Sequence, residues 1–207
     1  MEDIRTPATT VERLPLYYRA VESLAERQVK VVSSQELGEM LDLPPTQVRK
    51  DLSYYGEFGR RGVGYEVSVL RDNLEKILGI DNNWEIILAG AGNLGHALVN
   101  YGGFRNLGLK INYALDKDQE KIGEEFGGAK IYSIEELEKI VKKKDIKIGI
   151  VAVPAEAAQE IAKRLVEAGV KAIWNFAPTR LELPEKIEVR NEDLAIGLVT
   201  LTYHLSK

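Results

Sequence analysis

The stretch Leu88-Ala89-Gly90-Ala91-Gly92-Asn93-Leu94-Gly95-His96-Ala97-Leu98 identifies the fold class of this 207-residue chain. It places a Gly-x-Gly-x-x-Gly motif directly after an apolar run and directly before a predicted helix, which is the context that a dinucleotide-binding turn requires. Gly90 permits a tight turn, Gly92 lets a pyrophosphate approach the backbone, and Gly95 lets the helix pack close to the strand. The stretch therefore predicts a nucleotide-binding βαβ unit.

Short apolar runs without polar alternation recur around this motif. They occupy residues 86–89, 111–115, 148–153 and 172–176. Such runs are typical of strands that are covered on both faces of a parallel sheet. Helical patterns lie between them at 133–144, with a predicted capping box at Ser133 and Glu136, and at 155–168. This alternation predicts an α/β fold, a Rossmann-type doubly wound parallel sheet.

An acidic residue ends the second predicted strand. Asp116 stands 21 residues after Gly95 (116 − 95), close to the ~20 expected for a carboxylate that binds the adenosine ribose. A carboxylate at this position disfavours a 2′-phosphate, so we expect NAD(H) rather than NADP(H). The adjacent Lys117 weakens this inference but does not reverse it.

The strand ends that follow are further candidates for cofactor binding, because ligands of open α/β sheets lie beyond the carboxyl ends of the strands. For Phe176, plain core packing stays an equal alternative. The full set of predicted cofactor-binding residues is Gly90, Ala91, Gly92, Asn93, Leu94, Gly95, Tyr101, Asp116, Lys117, Val153, Pro154, Asn175, Phe176 and Ala177.

Composition excludes several classes of protein. The chain has no Cys, so disulfides, Cys-ligated zinc and a thiol nucleophile are excluded. No apolar run approaches the ~20 residues that cross a bilayer, and Met1-Glu2-Asp3-Ile4-Arg5 lacks the apolar stretch of a signal peptide. We expect a cytoplasmic protein without membrane contact. The net charge of −4 gives no global sign of nucleic-acid binding.

Acid–base and metal chemistry lack candidate residues. His96 and His204 have no evident acid–base partner. Tyr113 and Lys117 have the Tyr-x-x-x-Lys spacing of some dehydrogenases but lie on and after a strand instead of a helix. We predict no metal and no catalytic site, so that the nucleotide is sensed and not turned over.

Residues 1–80 follow a different pattern. Apolar positions predict a first helix at about 11–27, a second helix that begins after a capping box at Ser33 and Glu36, and a third helix at about 45–55. A Gly-rich hairpin at about 59–67 and a last helix at about 69–78 follow. This order predicts a winged helix-turn-helix, whose third helix enters the major groove of DNA.

The third helix has one apolar and one polar face. Val48, Leu52 and Tyr55 are predicted to face the core. Residues 44–64 carry four basic and two acidic side chains (4 − 2 = +2), a local basic patch. The alternative is a small helical dimerisation domain with a solvated face. The predicted DNA-binding residues are Gln47, Arg49, Lys50, Ser53, Tyr54, Arg60 and Arg61.

The run Gln47-Val48-Arg49-Lys50-Asp51-Leu52-Ser53-Tyr54-Tyr55-Gly56 resembles the DNA-binding signature of the Rex family of redox-sensing transcriptional repressors. The segments at 13–19, 61–65, 90–95, 175–178 and 191–198 are similar to that family too, so the resemblance covers nearly the whole chain. It implies a homodimer that binds double-stranded operator DNA when NADH is scarce and releases it when NADH binds. It also implies that the C-terminal helix is exchanged between subunits, and that Arg19 and Asp193 of opposite subunits form an ion pair that differs between the two states.

The predicted organisation is therefore a winged-helix DNA-binding domain at 1–80, a Rossmann NAD(H)-binding domain at 81–190 and an exchanged helix at 191–207. Two alternatives stay open: an NAD-dependent oxidoreductase, and a nucleotide- or CoA-binding subunit with a helical appendage.

Overall fold

The computed structural model describes residues 6–60 and 62–206, without the side chain of His204. The chain divides into two compact units, the first ending at Asp81 and the second beginning at Asn82. Arg61, a predicted DNA contact, and residues 1–5 lie outside the described residues.

The first unit has the element order of a winged helix. Its elements are α1 (Ala8–Glu26), β1 (Val31–Val32), α2 (Ser34–Leu41), α3 (Pro45–Ser53), β2 (Gly59–Arg60), β3 (Gly64–Glu66) and α4 (Val67–Leu78). The three short strands pair antiparallel in the order β1-β3-β2. The predicted helices and hairpin are present, whereas β1 was not predicted because two residues are too short to show a periodicity.

Local signals fix the ends of the helices in this unit. The predicted capping box forms: the Ser33 hydroxyl accepts from the Glu36 N–H at 3.1 Å, and the Glu36 carboxylate accepts from the Ser33 N–H at 2.7 Å. Helix α3 begins at Pro45, where proline suits a first turn, and it ends at Ser53, earlier than predicted. Val48 and Leu52 are buried as predicted, but Tyr55, beyond the helix, is half-buried.

The second unit contains a seven-stranded sheet. Its elements are β4 (Trp84–Ala89), α5 (Asn93–Val99), α6 (Gly102–Asn106), β5 (Leu109–Asp116), β6 (Glu125–Phe126), β7 (Ala129–Ser133), α7 (Leu137–Lys144), β8 (Ile148–Val151), α8 (Ala155–Ala168), β9 (Ala172–Asn175), β10 (Glu188–Asn191) and α9 (Leu194–Leu205). The order is β10-β9-β8-β4-β5-β7-β6, and all pairs are parallel except β6 with β7. Without β6 this is the 3-2-1-4-5-6 order of the Rossmann fold, so the predicted fold class is confirmed.

The two faces of the sheet carry separate apolar cores. One core packs α7 and α8 against the sheet, with Leu137 and Leu165 fully buried in it. The other lies on the opposite face and includes Leu88 and Val99. The strand order reverses direction between β4 and β8, and at such a switch point the strand ends leave a crevice for a ligand.

Two local predictions in this unit were wrong. Ser133 caps a short 3₁₀ turn by accepting from the Glu135 N–H at 3.3 Å, so the predicted capping box with Glu136 does not form there. Asn191, predicted to begin the terminal helix, ends strand β10. Helix α9 begins at Leu194 because the Asp193 carboxylate caps it, accepting from the Ala195 N–H at 2.9 Å.

Helix α9 exposes most of its apolar side chains. Leu198 is 70% exposed and Leu205 is 86% exposed, a degree of exposure unusual for residues of this type. The other exposed large apolar residues of α9 are Leu194, Ile196, Val199, Leu201 and Tyr203. In the described part of the chain, no helix combines the length and apolarity needed to span a bilayer.

Candidate functional site

The glycine loop after β4 leaves room for a phosphate chain. Gly90 has φ +103°, and a Cβ there would collide with the Ala152 carbonyl, while a Cβ on Gly95 would collide with the Gly90 carbonyl. A Cβ on Gly92, by contrast, would meet nothing within 4 Å. The first and last glycines therefore allow the turn and the close packing, and Gly92 leaves open space beside the N-terminus of α5, where backbone N–H groups attract anions. Ala91, between the first two glycines, is buried, and Asn93 and Leu94 form the first turn of α5.

Asp116 ends β5 and contacts the glycine loop directly. Its carboxylate accepts from the Ala91 N–H at 3.0 Å and from the Asp118 N–H at 3.0 Å. Partial burial raises the pKa of Asp116, but the hydrogen bond from the Asp118 N–H, the charge of Lys121 and the Ala91 N–H outweigh it and lower the pKa below its usual value. The carboxylate is therefore ionised at neutral pH. The Lys121 ammonium lies 3.5 Å from the Asp116 carboxylate, a contact that the sequence did not predict. Lys117, the predicted neighbour, is exposed.

The ends of β8 and β9 contribute the next group of predicted residues. Val153 is half-buried and Pro154 is exposed where the chain enters α8. Asn175 is fully buried, and its side chain is occupied by hydrogen bonds within the protein. Its role in this structure is to hold the loop that carries Phe176 and Ala177.

Four aromatic rings form a row whose two ends are predicted cofactor-binding residues. Tyr101, 57% exposed, lies 4.8 Å from Phe104, ring centre to ring centre. Phe104 lies 5.8 Å from Trp174, which lies 4.5 Å from Phe176. The structure thus brings Tyr101 and Phe176 into one surface. The sequence reasoning missed Phe104 and Trp174, because only packing between α6 and β9 aligns them.

His96 has a packing role in this unit. Its ring stacks on that of Phe126 with centres 3.9 Å apart and planes 9° apart. In the described residues, no group of three or more His, Asp or Glu side chains is arranged to hold a metal ion.

The first unit presents a polar face on α3 and the hairpin. Arg49, Lys50, Ser53 and Arg60 are exposed, whereas Gln47 and Tyr54 are half-buried. Arg49 donates to the Ser34 hydroxyl at 2.7 Å, which holds its guanidinium beside the start of α2. An open groove of about 860 Å³ lies between the start of α2, the end of α3 and the hairpin. The groove brings together Ser34, Arg49, Ser53 and Arg60, among others.

Asp51 lies on the opposite, buried face of α3 and joins it to α1. Arg13 donates to both of its oxygens, at 2.6 and 2.8 Å, and the Tyr17 hydroxyl donates at 2.7 Å. The Thr10 hydroxyl and the Gln47 amide donate at 2.9 and 2.8 Å. Burial raises the pKa of Asp51, but the hydrogen bonds from these donors, Arg13 first, outweigh it and lower the pKa to about 2.

This network changes the predicted charge of the basic patch. Asp51 is one of the two acidic side chains in the sequence count for residues 44–64, but it is fully buried and paired with Arg13. Without it, residues 44–64 carry four basic side chains against Glu57 alone (4 − 1 = +3). Gln47 was predicted to face outward, but its side-chain amide donates to the Asp51 carboxylate and is part of the buried hydrogen-bond network. Asp51 was missed because an acid on a helix gives no sequence signal of a partner 38 residues away.

The predicted switch residues have different surroundings. Arg19 is exposed on α1. Asp193 is exposed and caps α9 within its own chain. Their pairing across subunits stays a prediction.

Comparisons with known proteins match both units. The family model described as a CoA binding domain matches residues 81–179, and that described as a putative DNA-binding protein N-terminus matches residues 5–53. A redox-sensing transcriptional repressor Rex of Carboxydothermus hydrogenoformans is 45% identical over 207 residues, covering all of both chains.

Solved structures of a protein called RSP are similar over nearly the whole chain. RSP in complex with β-NAD⁺ and operator DNA is 39% identical, with a TM-score of 0.92 over 96% of this chain and 92% of that one. RSP in complex with β-NADH is 36% identical, with a TM-score of 0.88 over 98% of this chain and 95% of that one.

Proposed function

The chain belongs to the Rex family of redox-sensing transcriptional repressors, and from that membership we infer that it represses transcription in response to the redox state of the NAD pool. The observation that carries this function is the match over the full length, because it includes both the winged helix and the nucleotide-binding sheet. The matching relatives are named repressors and not enzymes, so the function is sensing and the oxidoreductase alternative is set aside. The CoA-binding alternative is set aside too, because the similar RSP structures are complexes with NAD⁺ and NADH.

We propose that α3 and the hairpin bind operator DNA. Arg49, Lys50 and Arg60 are exposed on this face, and such side chains donate to phosphates and to base edges. The pairing of Asp51 with Arg13 supports this assignment, because it leaves this face with a more positive net charge than the sequence count indicates. Operator DNA as a ligand implies a location in the cytoplasm.

We further propose a homodimer in which α9 is exchanged between subunits. The apolar side chains that α9 exposes would be covered by a partner, as expected for the core of an obligate interface. A dimer would place two copies of α3 against half-sites about one helical turn apart. A change in the spacing of the two copies would then abolish simultaneous binding.

The residues of the nucleotide site fit NAD(H). The open space at Gly92 and the N-terminus of α5 suit the pyrophosphate, and the ionised Asp116 suits the ribose hydroxyls. Tyr101 and Phe176, at the ends of the aromatic row, would contact the nicotinamide. NAD⁺ and NADH differ in this ring alone, so the residues that contact it must distinguish the two forms. An effect on DNA binding requires that NADH bind one state of the dimer more tightly than the other.

Capture of genomic DNA tests this function. Random genomic fragments are bound to the immobilised protein and washed with NADH or with NAD⁺ at one salt concentration, because phosphate contacts depend on salt. We expect one set of fragments to leave in NADH and to remain in NAD⁺. Retention of no fragment in either wash would refute repression, and turnover of NADH with a small carbonyl compound would restore the oxidoreductase alternative.

A variant of the phosphate loop makes the test specific. Gly92→Ala adds a methyl group in the space assigned to the pyrophosphate without a clash inside the protein. It should retain the fragments in NADH as well as in NAD⁺, whereas Ala97→Ser, on the exposed side of the same helix, should behave as the unmodified chain.

A further inference from the structure

The loop after β9 and the segment that leads into α9 meet at one buried side chain, that of Asn175. Strands β9 and β10 are parallel neighbours, and their last residues, Asn175 and Asn191, stand side by side in register. The backbone carbonyl of Asn175 accepts from the Glu192 N–H at 2.8 Å. Asp193, which caps α9, follows at the next position.

The amide of Asn175 has more acceptors than protons. Its Nδ2 lies 3.2 Å from the Ala177 carbonyl, 2.9 Å from the Thr179 carbonyl and 2.9 Å from Oδ1 of Asn191. An NH₂ group has two protons, so three acceptors compete for two hydrogen bonds. Its Oδ1 meanwhile accepts from the Ala177 N–H at 3.1 Å. Two of the Nδ2 acceptors belong to the loop after Phe176 and one belongs to the start of the α9 segment.

We propose that Asn175 is a positioning residue that couples the conformation of the loop 176–179 to the orientation of α9 through its hydrogen bond to Asn191. This inference rests on the proposed function, in which Phe176 contacts the nicotinamide and α9 forms the dimer interface. Because Asn175 is fully buried, water cannot replace a lost partner. A shift of the loop carbonyls therefore changes the share of the Nδ2 protons that Asn191 receives, and with it the restraint on the residues that cap α9.

The test uses Asn191, because it is exposed and belongs neither to the loop nor to the DNA-binding face. Asn191→Ala removes the acceptor that leads to α9 and leaves the bonds of Asn175 to the loop in place. Asn191→Asp keeps an acceptor oxygen and serves as the conservative rescue. For each protein we would measure the Kd for NADH, the Kd for a genomic fragment retained by the unmodified chain, and the factor by which NADH weakens that DNA binding.

For Asn191→Ala we expect a Kd for NADH, and a Kd for the fragment in the absence of NADH, within about twofold of those of the unmodified chain. The factor by which NADH weakens DNA binding should fall by about fivefold, as expected for the loss of one hydrogen bond. Asn191→Asp should keep the full effect. A purely structural role would alter the two separate affinities and leave their coupling unchanged.

Two results would overturn the inference while the proposed function stands: an unchanged NADH effect in Asn191→Ala, or an equal loss in Asn191→Asp. Failure of the proposed function is a different result, since the unmodified chain itself would then show no NADH effect on DNA binding.

Discussion

Replacement of Asp51 by Asn tests whether the buried carboxylate holds α3 against α1. In the native protein Oδ1 of Asp51 accepts from Thr10, Arg13 and Gln47, and Oδ2 accepts from Arg13 and Tyr17. The substitution keeps the shape of the side chain but removes its charge and replaces one of the two oxygens by an NH₂ group, so that the donors to that oxygen lose their acceptor. The first unit should lose stability, and α3 should lose its fixed position.

The size of the loss follows from the pKa of Asp51. The pKa falls from 3.8 to about 2 in the folded protein, and one pKa unit corresponds to about 1.4 kcal/mol, so the ionised, fully buried carboxylate stabilises the fold by roughly 2.5 kcal/mol. Loss of one partner of a buried ion pair costs roughly 3–5 kcal/mol. Because the Arg13 side chain is 22% exposed and regains some hydration, we expect about 3 kcal/mol, the lower end of that range.

The assay is urea unfolding at pH 7 followed by far-ultraviolet circular dichroism and by tryptophan fluorescence. Both tryptophans, Trp84 and Trp174, lie in the second unit, so fluorescence serves as an internal control. Hydrogen exchange of the amides of α3 assigns the loss to the first unit. Asp72→Asn is the matched control, because Asp72 lies on α4 of the same unit with a 55% exposed side chain, and it should change the free energy of unfolding by less than about 0.5 kcal/mol. A loss below about 1 kcal/mol for Asp51→Asn would refute the role given to the network.

Three further predictions concern charge. The pKa of Asp51 is lower in the folded than in the unfolded protein, so the stability that this carboxylate contributes is present above pH 4 and is lost as the pH falls towards 2. When the free energy of unfolding is measured over this pH range, it should fall by about 2.5 kcal/mol more in the unmodified chain than in Asp51→Asn. Asp116→Ser should raise the affinity for NADPH relative to NADH at least tenfold, because it removes the repelling carboxylate and leaves Lys121 to pair with a 2′-phosphate; an unchanged ratio of the two Kd values, measured by fluorescence titration, would contradict the ribose assignment. Asp193→Asn should keep the cap of α9, since Asn caps as well as Asp, but reduce the NADH effect on DNA binding severalfold by removing the predicted charge partner of Arg19; an unchanged NADH effect in DNA-binding titrations would remove that pair from the account.

The sequence was sufficient for features that depend on local spacing. Gly90 and Gly95 allow the turn and the close helix packing that their positions predicted, since both are properties of consecutive residues, and the role of Gly92 toward a pyrophosphate stays a prediction. Asp116 lies beside the loop, as its distance along the chain required. The capping box at Ser33 and the proline start of α3 were likewise predicted from adjacent residues.

Features that depend on contacts distant in sequence were not predictable. Strand β10 is a polar edge strand with no apolar run, so its pairing with β9 left no periodic signal and Asn191 was assigned to a helix. Asp51 needs partners from α1, and the aromatic row needs Phe104 and Trp174 from separate elements. Asn175 was predicted to contact the cofactor because it follows a strand, and that contact stays a prediction; its hydrogen bond to Asn191, 16 residues further along the chain, gave no sequence signal.

Control of DNA binding by the redox state of the NAD pool is tested most directly by the affinity of the protein for a retained genomic fragment as NADH replaces NAD⁺ at constant total nucleotide and constant salt. We predict that the Kd for DNA rises by about 5- to 150-fold across this series, the range of a typical coupling between two sites. A Kd that stays constant from pure NAD⁺ to pure NADH, with nucleotide binding confirmed by quenching of tryptophan fluorescence, would contradict it.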